Sequence, residues 1–362
     1  SPVWTGPNAY TTGVALGDVD GDGDLDLVCG NYPRGSTLYV NEGGRFGTTP
    51  VWAEVEGSTF GISLGDVDAD GQLDLLAAGW PEGNMLFLNE AGRFGTTPVW
   101  RGRSRDTSSM ALGDVDGDGD LDLVCGNASW GSELYLNEVG GFGLSSDWTG
   151  PLEDAPFSGA LGDVDDDGDL DLVGGGLFRS AALYLNYYGR FDASPVWTTG
   201  LEGGTESIAL GDMDGDGDLD LVCQDHSGGS TLYLWEGGRF GTSPVWTGPN
   251  AHTTGAALGD VDGDGDLDLV CAGSHGSTLY LYEGGRFGTS PVWTGPPEST
   301  TSRALGDVDG DGDLDLVCGN ADQGSTLYLN EGGRFGTTPV WTGPIAYTYD
   351  ISLDDVNGDG NL

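Results

Sequence analysis

All-β repeats of four strands, assembled as a β-propeller, are the fold class that three observations in this sequence predict. First, the acidic segment 18–26, Asp-Val-Asp-Gly-Asp-Gly-Asp-Leu-Asp, recurs almost unchanged from Asp66, Asp114, Asp163, Asp212, Asp260 and Asp307, with a partial copy at Asp355. Second, the leucine that opens each copy falls at Leu16, Leu64, Leu112, Leu161, Leu210, Leu258, Leu305 and Leu353, a period of 47 to 49 residues. A strict period of that length describes stacked supersecondary units sharing one continuous core, so residues 1–362 read as one domain. Third, apolar residues alternate in short runs broken by Gly, Asn, Asp and Pro, and they never recur at helical spacing over ten residues.

Within the first unit the alternation predicts an inner strand over 13–19, a second over 25–29, a third over 37–40 and a fourth over 45–52 around the Thr-Thr-Pro bend. The acidic loop joins the first two as a long hairpin turn. One tryptophan marks each unit, at Trp4, Trp52, Trp100, Trp148, Trp197, Trp246, Trp293 and Trp341. Seven complete units give seven blades, with eight the alternative. Residues 1–5 match a fourth strand, and 351–362 match an inner strand and most of a loop, which is expected of a piece of a longer protein. A β-solenoid is the rival architecture, but its coils are usually shorter.

The acidic loop carries the chemistry. Carboxylates at its first, third, fifth and ninth positions surround a turn that Gly at the sixth position makes sharp, which offers a hard cation a cage of oxygens. The expected occupant is Ca²⁺, about seven ions in all. The net charge of −47 is mostly these loops, whose odd-numbered positions hold 34 of the 59 acids. Seven Ca²⁺ would bring the charge to about −33, and the 12 basic residues form no patch for phosphates, so nucleic acid is excluded as a partner.

Five cysteines share one register position, Cys29, Cys125, Cys223, Cys271 and Cys318, with Ala77 and Gly174 in the other copies. They read as small buried hydrophobes rather than disulfides. Their odd number argues weakly against an oxidising compartment, whereas loops of this kind suit millimolar calcium, and an extracellular or cell-surface location is expected. No signal peptide or membrane-spanning run is present in the sequence. Asn127-Ala-Ser129 forms its one glycosylation sequon.

The stretch 13–30, Gly-Val-Ala-Leu-Gly-Asp-Val-Asp-Gly-Asp-Gly-Asp-Leu-Asp-Leu-Val-Cys-Gly, resembles the FG-GAP or VCBS-type repeat of integrin α-subunit heads, certain fungal lectins and many secreted bacterial proteins. That resemblance implies Ca²⁺ at loop positions one, three, five, seven and nine, the seventh through its backbone carbonyl. Carried onto this chain, the ligands are Asp18, Asp20, Asp22, Asp24 and Asp26 in the first copy, and Asp66, Asp68, Asp70, Gln72 and Asp74 in the second. The third and fourth copies supply Asp114, Asp116, Asp118, Asp120 and Asp122, then Asp163, Asp165, Asp167, Asp169 and Asp171. The fifth supplies Asp212, Asp214, Asp216, Asp218 and Asp220. The last two supply Asp260, Asp262, Asp264, Asp266 and Asp268, and Asp307, Asp309, Asp311, Asp313 and Asp315. Gln72 departs from the pattern harmlessly if its carbonyl is the ligand, and the eighth copy stops before its ninth-position acid.

Comparing copies separates framework from variation. The acidic loop and the turn 41–46, Asn-Glu-Gly-Gly-Arg-Phe, are nearly constant and should share one face. The connections on the other face vary, and rigid scaffolds commonly present recognition there. Tyr32, Arg34, Trp80, Trp130, Phe178, Arg179, His226 and His275 are the ligand-binding candidates, able to stack on sugar rings or anchor a protein partner. The three histidines all lie in variable segments and no catalytic constellation stands apart from the metal loops, so a binding module is expected rather than an enzyme. A structural repeat unit of a larger surface array is the second reading, with possible self-assembly, and a polysaccharide-acting enzyme the third.

Overall fold

The computed structural model describes all residues except 1–3, 7–9, 55–56, 104–105, 129, 139, 152–157, 177–178, 201–203, 226–228, 249–252 and 361, and the side chains of Arg179 and Thr254. Among the described residues there is no helix; twenty-eight strands form seven four-stranded antiparallel sheets, each a simple meander. These are the seven blades of a β-propeller. Blade 1 comprises Tyr10–Gly17, Asp26–Tyr32, Gly35–Tyr39 and Trp52–Ala53. Blades 2 to 7 repeat it over 58–101, 107–149, 158–198, 205–247, 253–294 and 300–342.

The chain divides into two compact units, one of Ser1–Pro156, Asn186–Ala193 and Asp354–Gly360, the other of Phe157–Leu185, Ser194–Leu353 and Asn361–Leu362. In each, the core lies between neighbouring sheets. In the first unit, Val28 and Leu38 of blade 1 pack with Leu75, Ala77, Met85 and Phe87 of blade 2. In the second, Val222 and Leu232 of blade 5 pack with Leu269, Cys271 and Tyr280 of blade 6. The per-unit tryptophan locks the packing. Trp52 stands edge-on to Phe87 and Phe94 at 5.2 and 5.3 Å, and its indole donates to Gly95 O at 3.0 Å. Trp293 does the same to Tyr328, Phe335 and Gly336 O. Such edge-to-face pairs are worth about 0.5–1.5 kcal/mol beyond the area they bury.

The glycine before each loop is explained by this close approach. A Cβ on Gly17 would lie 2.7 Å from Leu73 Cδ1 and 3.0 Å from Leu64 Cδ1, so the leucines of blade 2 seat directly on the blade 1 backbone. All five cysteines are buried and unbridged in the second strands, as expected of small hydrophobes.

The strand limits differ from expectation in three places. The inner strand ends at Gly17 rather than 19, because Val19 N already donates to the Asp26 carboxylate at 3.0 Å and belongs to the loop. The second and third strands run longer, meeting where Asn31 pairs with Gly35. The fourth is only Trp52–Ala53: the chain first closes a turn through the Asn41–Phe46 bridge, and Pro50 has no amide to continue a ladder. The described part of 351–362, expected to supply an inner strand and most of a loop, carries no strand. In every blade the inner strand pairs with its own second strand, and this copy has none. The sequon is not presented either, since Asn127 is fully buried and its amide donates to Gly131 O and Glu133 Oε2.

Candidate metal loops and the variable face

Each acidic loop is wound by its own carboxylates. Asp18 accepts from Gly21 N at 2.8 Å and Gly23 N at 3.0 Å, Asp20 from Asp22 N at 3.3 Å, and Asp22 from Asp24 N at 2.9 Å. These turns need left-handed backbone at the fourth and sixth positions, where Gly21 and Gly23 have φ of 77° and 97°. Two copies replace the fourth-position glycine and keep the conformation, at Ala69 (58°) and Asp166 (60°).

The winding gathers acids. One oxygen each from Asp18, Asp20 and Asp22 lies within 4.8 Å of the others, and the same holds for Asp66, Asp68 and Asp70, and for Asp212, Asp214 and Asp216. In blades 3 and 4 the converging sets are Asp114, Asp116 and Asp122, and Asp163, Asp165 and Asp171; two further groups of this kind exist. The crowding shows electrostatically. Partial burial and then the charge of Asp22 hold the Asp20 carboxyl above its ordinary range, and Asp116, Asp214 and Asp262 are raised by burial and by their equivalent neighbours. Asp114 Oδ1 and Asp165 Oδ1 are buried without a hydrogen-bond partner. An all-oxygen donor set with orphaned carboxylate oxygens fits a hard divalent cation, and it is these loops that could hold one.

The ninth position, which joins the gathered acids in blades 3 and 4, also ties the loop to the turn. Asp26 is fully buried; its Oδ2 accepts from Val19 N and Asp20 N, and its Oδ1 from Asn41 N at 2.8 Å. Burial pushes the equivalent Asp122, Asp220 and Asp268 up to about 6, against the backbone hydrogen bonds that favour their charged forms. The seventh-position side chain faces the constant turn, Asp24 accepting from Gly43 N at 2.7 Å and Gln72 from Ala91 N at 3.0 Å. Gln72 thus replaces an acid without loss of that contact.

One constant residue has a role that the sequence reading missed. Asn89, in the turn of blade 2, donates to Leu73 O of its own loop and to Val19 O in the loop of blade 1, at 3.1 and 2.7 Å. Asn137 clips Val67 O in the same way and Asn330 clips Val261 O. The asparagine recurs at 41, 89, 137, 186 and 330, and that recurrence was the available signal.

On the variable connections, Tyr32, Trp80 and Trp130 are 49, 47 and 46% exposed, and Arg34 and His275 are exposed as well. Tyr32 lies 6.0 Å from Phe60, itself exposed, and Tyr10 beside it in the sheet is more exposed still; neither Phe60 nor Tyr10 was among the candidates. His275 Nδ1 shares a hydrogen bond with Ser274 Oγ. Phe178 and His226 lie outside the described residues, as does the Arg179 side chain.

A sequence profile described as an FG-GAP-like repeat matches residues 18–77, 66–125, 114–174, 163–223, 212–271, 260–318 and 307–362. No curated protein sequence matches the chain. Among solved structures, it is similar to the V. cholerae biofilm matrix protein Bap1, at 12% identity over 97% of this chain and 84% of that one, with a TM-score of 0.62. It is similar to Saccharomyces cerevisiae Sqt1 at 12% identity over 98 and 91%, with a TM-score of 0.63. It also resembles BBS1N, crystallised in complex with ARL6DN, at 16% identity over 86 and 89%, with a TM-score of 0.54. At these identities the likeness is one of fold.

Proposed function

We propose, for a chain that belongs to the FG-GAP-like repeat family, a function as a calcium-loaded binding module that recognises a glycan or protein through its variable connections. The observation that carries this reading is the contrast between the two kinds of connection. The constant turns and loops spend their polar groups on one another, as in Asp24 with Gly43 and Asn89 with Val19, whereas the variable connections leave Tyr32, Trp80 and Trp130 half exposed. Large aromatic groups held on a rigid sheet are the usual anchors of a recognition surface. A propeller in complex with a protein and a propeller of a biofilm matrix are among the structures of similar fold, which suits such a role.

Calcium in this reading is structural, neutralising each knot of carboxylates so that the first hairpin of every blade can close. An extracellular setting follows from the calcium it requires. The buried thiols are no obstacle to it: burial pushes Cys29 and Cys318 up to about 11, which withholds the thiolate that oxidation needs. The chain acts in this reading without catalysis. A glycan array probed in Ca²⁺ and again in excess EDTA tests it. Binding to a defined class of glycan that vanishes in EDTA supports it, and equal signal with and without calcium would count against the calcium-loaded module.

A further inference from the structure

Three blades share one small arrangement at the end of their second strand, and a fourth breaks it by a single atom. In blade 1, Asn31 Oδ1 accepts from Thr11 at 3.0 Å, while its Nδ2 donates to Gly35 O and Thr37 Oγ1, both at 3.1 Å. In blade 7, Asn320 Oδ1 accepts from Thr300, and its Nδ2 donates to Gly324 O, Thr326 Oγ1 and Glu298 Oε2. Blade 3 repeats it with Asn127, whose Oδ1 accepts from Thr107 and whose Nδ2 donates to Gly131 O and Glu133 Oε2. The amide group sits among acceptors and satisfies them.

Blade 5 carries Asp225 at this position. Its Oδ1 keeps the threonine, accepting from Thr205 at 3.0 Å. Its Oδ2 therefore takes the seat of the amide nitrogen, and there it faces acceptors with no hydrogen to give them. Gly229 and Thr231 stand across the ladder as Gly35 and Thr37 do in blade 1. Asp225 Oδ2 and Thr199 Oγ1 lack a hydrogen bond, the hydroxyls of Thr231 and Tyr233 neighbour one another, and Asp225, Thr231, Tyr233 and Thr199 are 2, 2, 0 and 4% exposed. Their equivalents in blades 6 and 7, Asn320, Thr326, Tyr328 and Gly295, line one small cavity between those blades. Among the described residues, Asp225 interacts with no cationic side chain; burial raises its carboxyl and Thr205 alone opposes this.

A carboxylate oxygen without a hydrogen bond, on a residue more than nine-tenths buried and beside three buried hydroxyl groups, constitutes a site. We propose that the niche between blades 4 and 5 binds a dehydrated monovalent cation, Na⁺ or K⁺, coordinated by Asp225 Oδ2 with the Thr231, Tyr233 and Thr199 hydroxyl oxygens. The charge selects the ion: one carboxylate among neutral oxygens matches a single positive charge, whereas Ca²⁺ takes six to eight oxygens and, in the acidic loops, several carboxylates. The hardness of an all-oxygen set excludes soft metals. The niche is separate from the acidic loops, which lie at the opposite ends of these strands.

The test uses the full chain in saturating Ca²⁺, with ionic strength held constant by tetramethylammonium chloride, an ion too large for the niche. Replacing it by about 200 mM NaCl or KCl should raise the melting temperature by about 1–3 °C with a saturable dose dependence, and the salt with the lower midpoint identifies the preferred ion. Hydrogen exchange should slow in Asp220–Asp225 and Gly229–Tyr233 but not in the matching strands of blade 7. Asp225→Asn restores the pattern of blades 1, 3 and 7, so it should fold and lose the dependence on Na⁺ and K⁺. Indifference of the wild type to the three salts would overturn the site, as would an Asp225→Asn variant that still responds. A melting temperature that falls between pH 5 and 8 equally in all three salts, and no longer falls in Asp225→Asn, would assign the seat to a proton and overturn it too.

Discussion

Raising the pH should weaken this protein through one residue far from the acidic loops, and the effect can be sized. Glu54 follows the outer strand of blade 1, where most other blades have glycine, and it is 8% exposed. Burial pushes its carboxyl from 4.5 up to about 7; Ser36 and Arg101 offset part of the rise and Glu82 adds to it. The folded state thus holds this proton more tightly than the unfolded chain does. The resulting stabilisation is complete below pH 4.5 and disappears as the pH climbs through 7. Its ceiling is about 3 kcal/mol, and relaxation around the carboxylate will reduce that. Asp122, Asp220 and Asp268, which burial pushes up to about 6, titrate in the same window, so the quantity to measure is a difference. Urea unfolding of the wild type and of Glu54→Gln, both in saturating Ca²⁺, should show the variant gaining about 1–3 kcal/mol on the wild type between pH 5 and 8. A difference that stays flat over that range, or that moves in favour of the wild type, would refute the reasoning.

Chelation should lower the melting temperature markedly, since each independent site filled at about 100 times its dissociation constant adds roughly 2.7 kcal/mol to folding; an unchanged melt in EDTA, with no metal found on analysis, would sink the calcium assignment. Asp20→Ala should speed hydrogen exchange across residues 13–29 and little elsewhere, whereas a global collapse would show that blades do not behave as semi-independent units. Asn89→Ala removes the clip onto Val19 O and should lower stability by about 1–3 kcal/mol, with faster exchange in the blade 1 loop, 70 residues upstream of the change. No response in that loop would mean the clip is dispensable. Trp80→Ala and Trp130→Ala should each weaken ligand binding by about 1 kcal/mol or more, with Arg45→Ala and Arg334→Ala on the constant turns as controls; equal losses from both sets would favour the repeat-array reading.

What could be read from the sequence was what repetition spells out. The loop, its spacing, the blade count and the buried cysteines are each written seven times or nearly so, and local patterning suffices to interpret them. The short fourth strand was misjudged because 45–52 has the composition of a strand while its ladder depends on where Asn41 and Phe46 meet. The Asn89 clip was invisible for a different reason: its partner lies 70 residues away, and nothing local distinguishes an asparagine that caps a turn from one that reaches into the next blade. The exchange of Asn for Asp at position 225 is plain in the text, but its meaning required knowing that the amide of Asn31 is ringed by acceptors. Glu54 gave no signal in the sequence, because the groups around its buried carboxyl, Ser36, Arg101 and Glu82, come from other strands and the next blade.

The clip also bears on how the chain is made. Synthesis proceeds from the N-terminus, and the carbonyl of Val19 waits for an amide that follows it by 70 residues; Val67 and Val261 wait 70 and 69. A blade whose four strands have all left the ribosome is therefore still unfinished, its acidic hairpin lacking a tie that only its successor can supply. Where the clip is present, maturation must lag elongation by most of a repeat, and the blade that carries Val19, Val67, Val115 or Val261 is completed by the one translated after it.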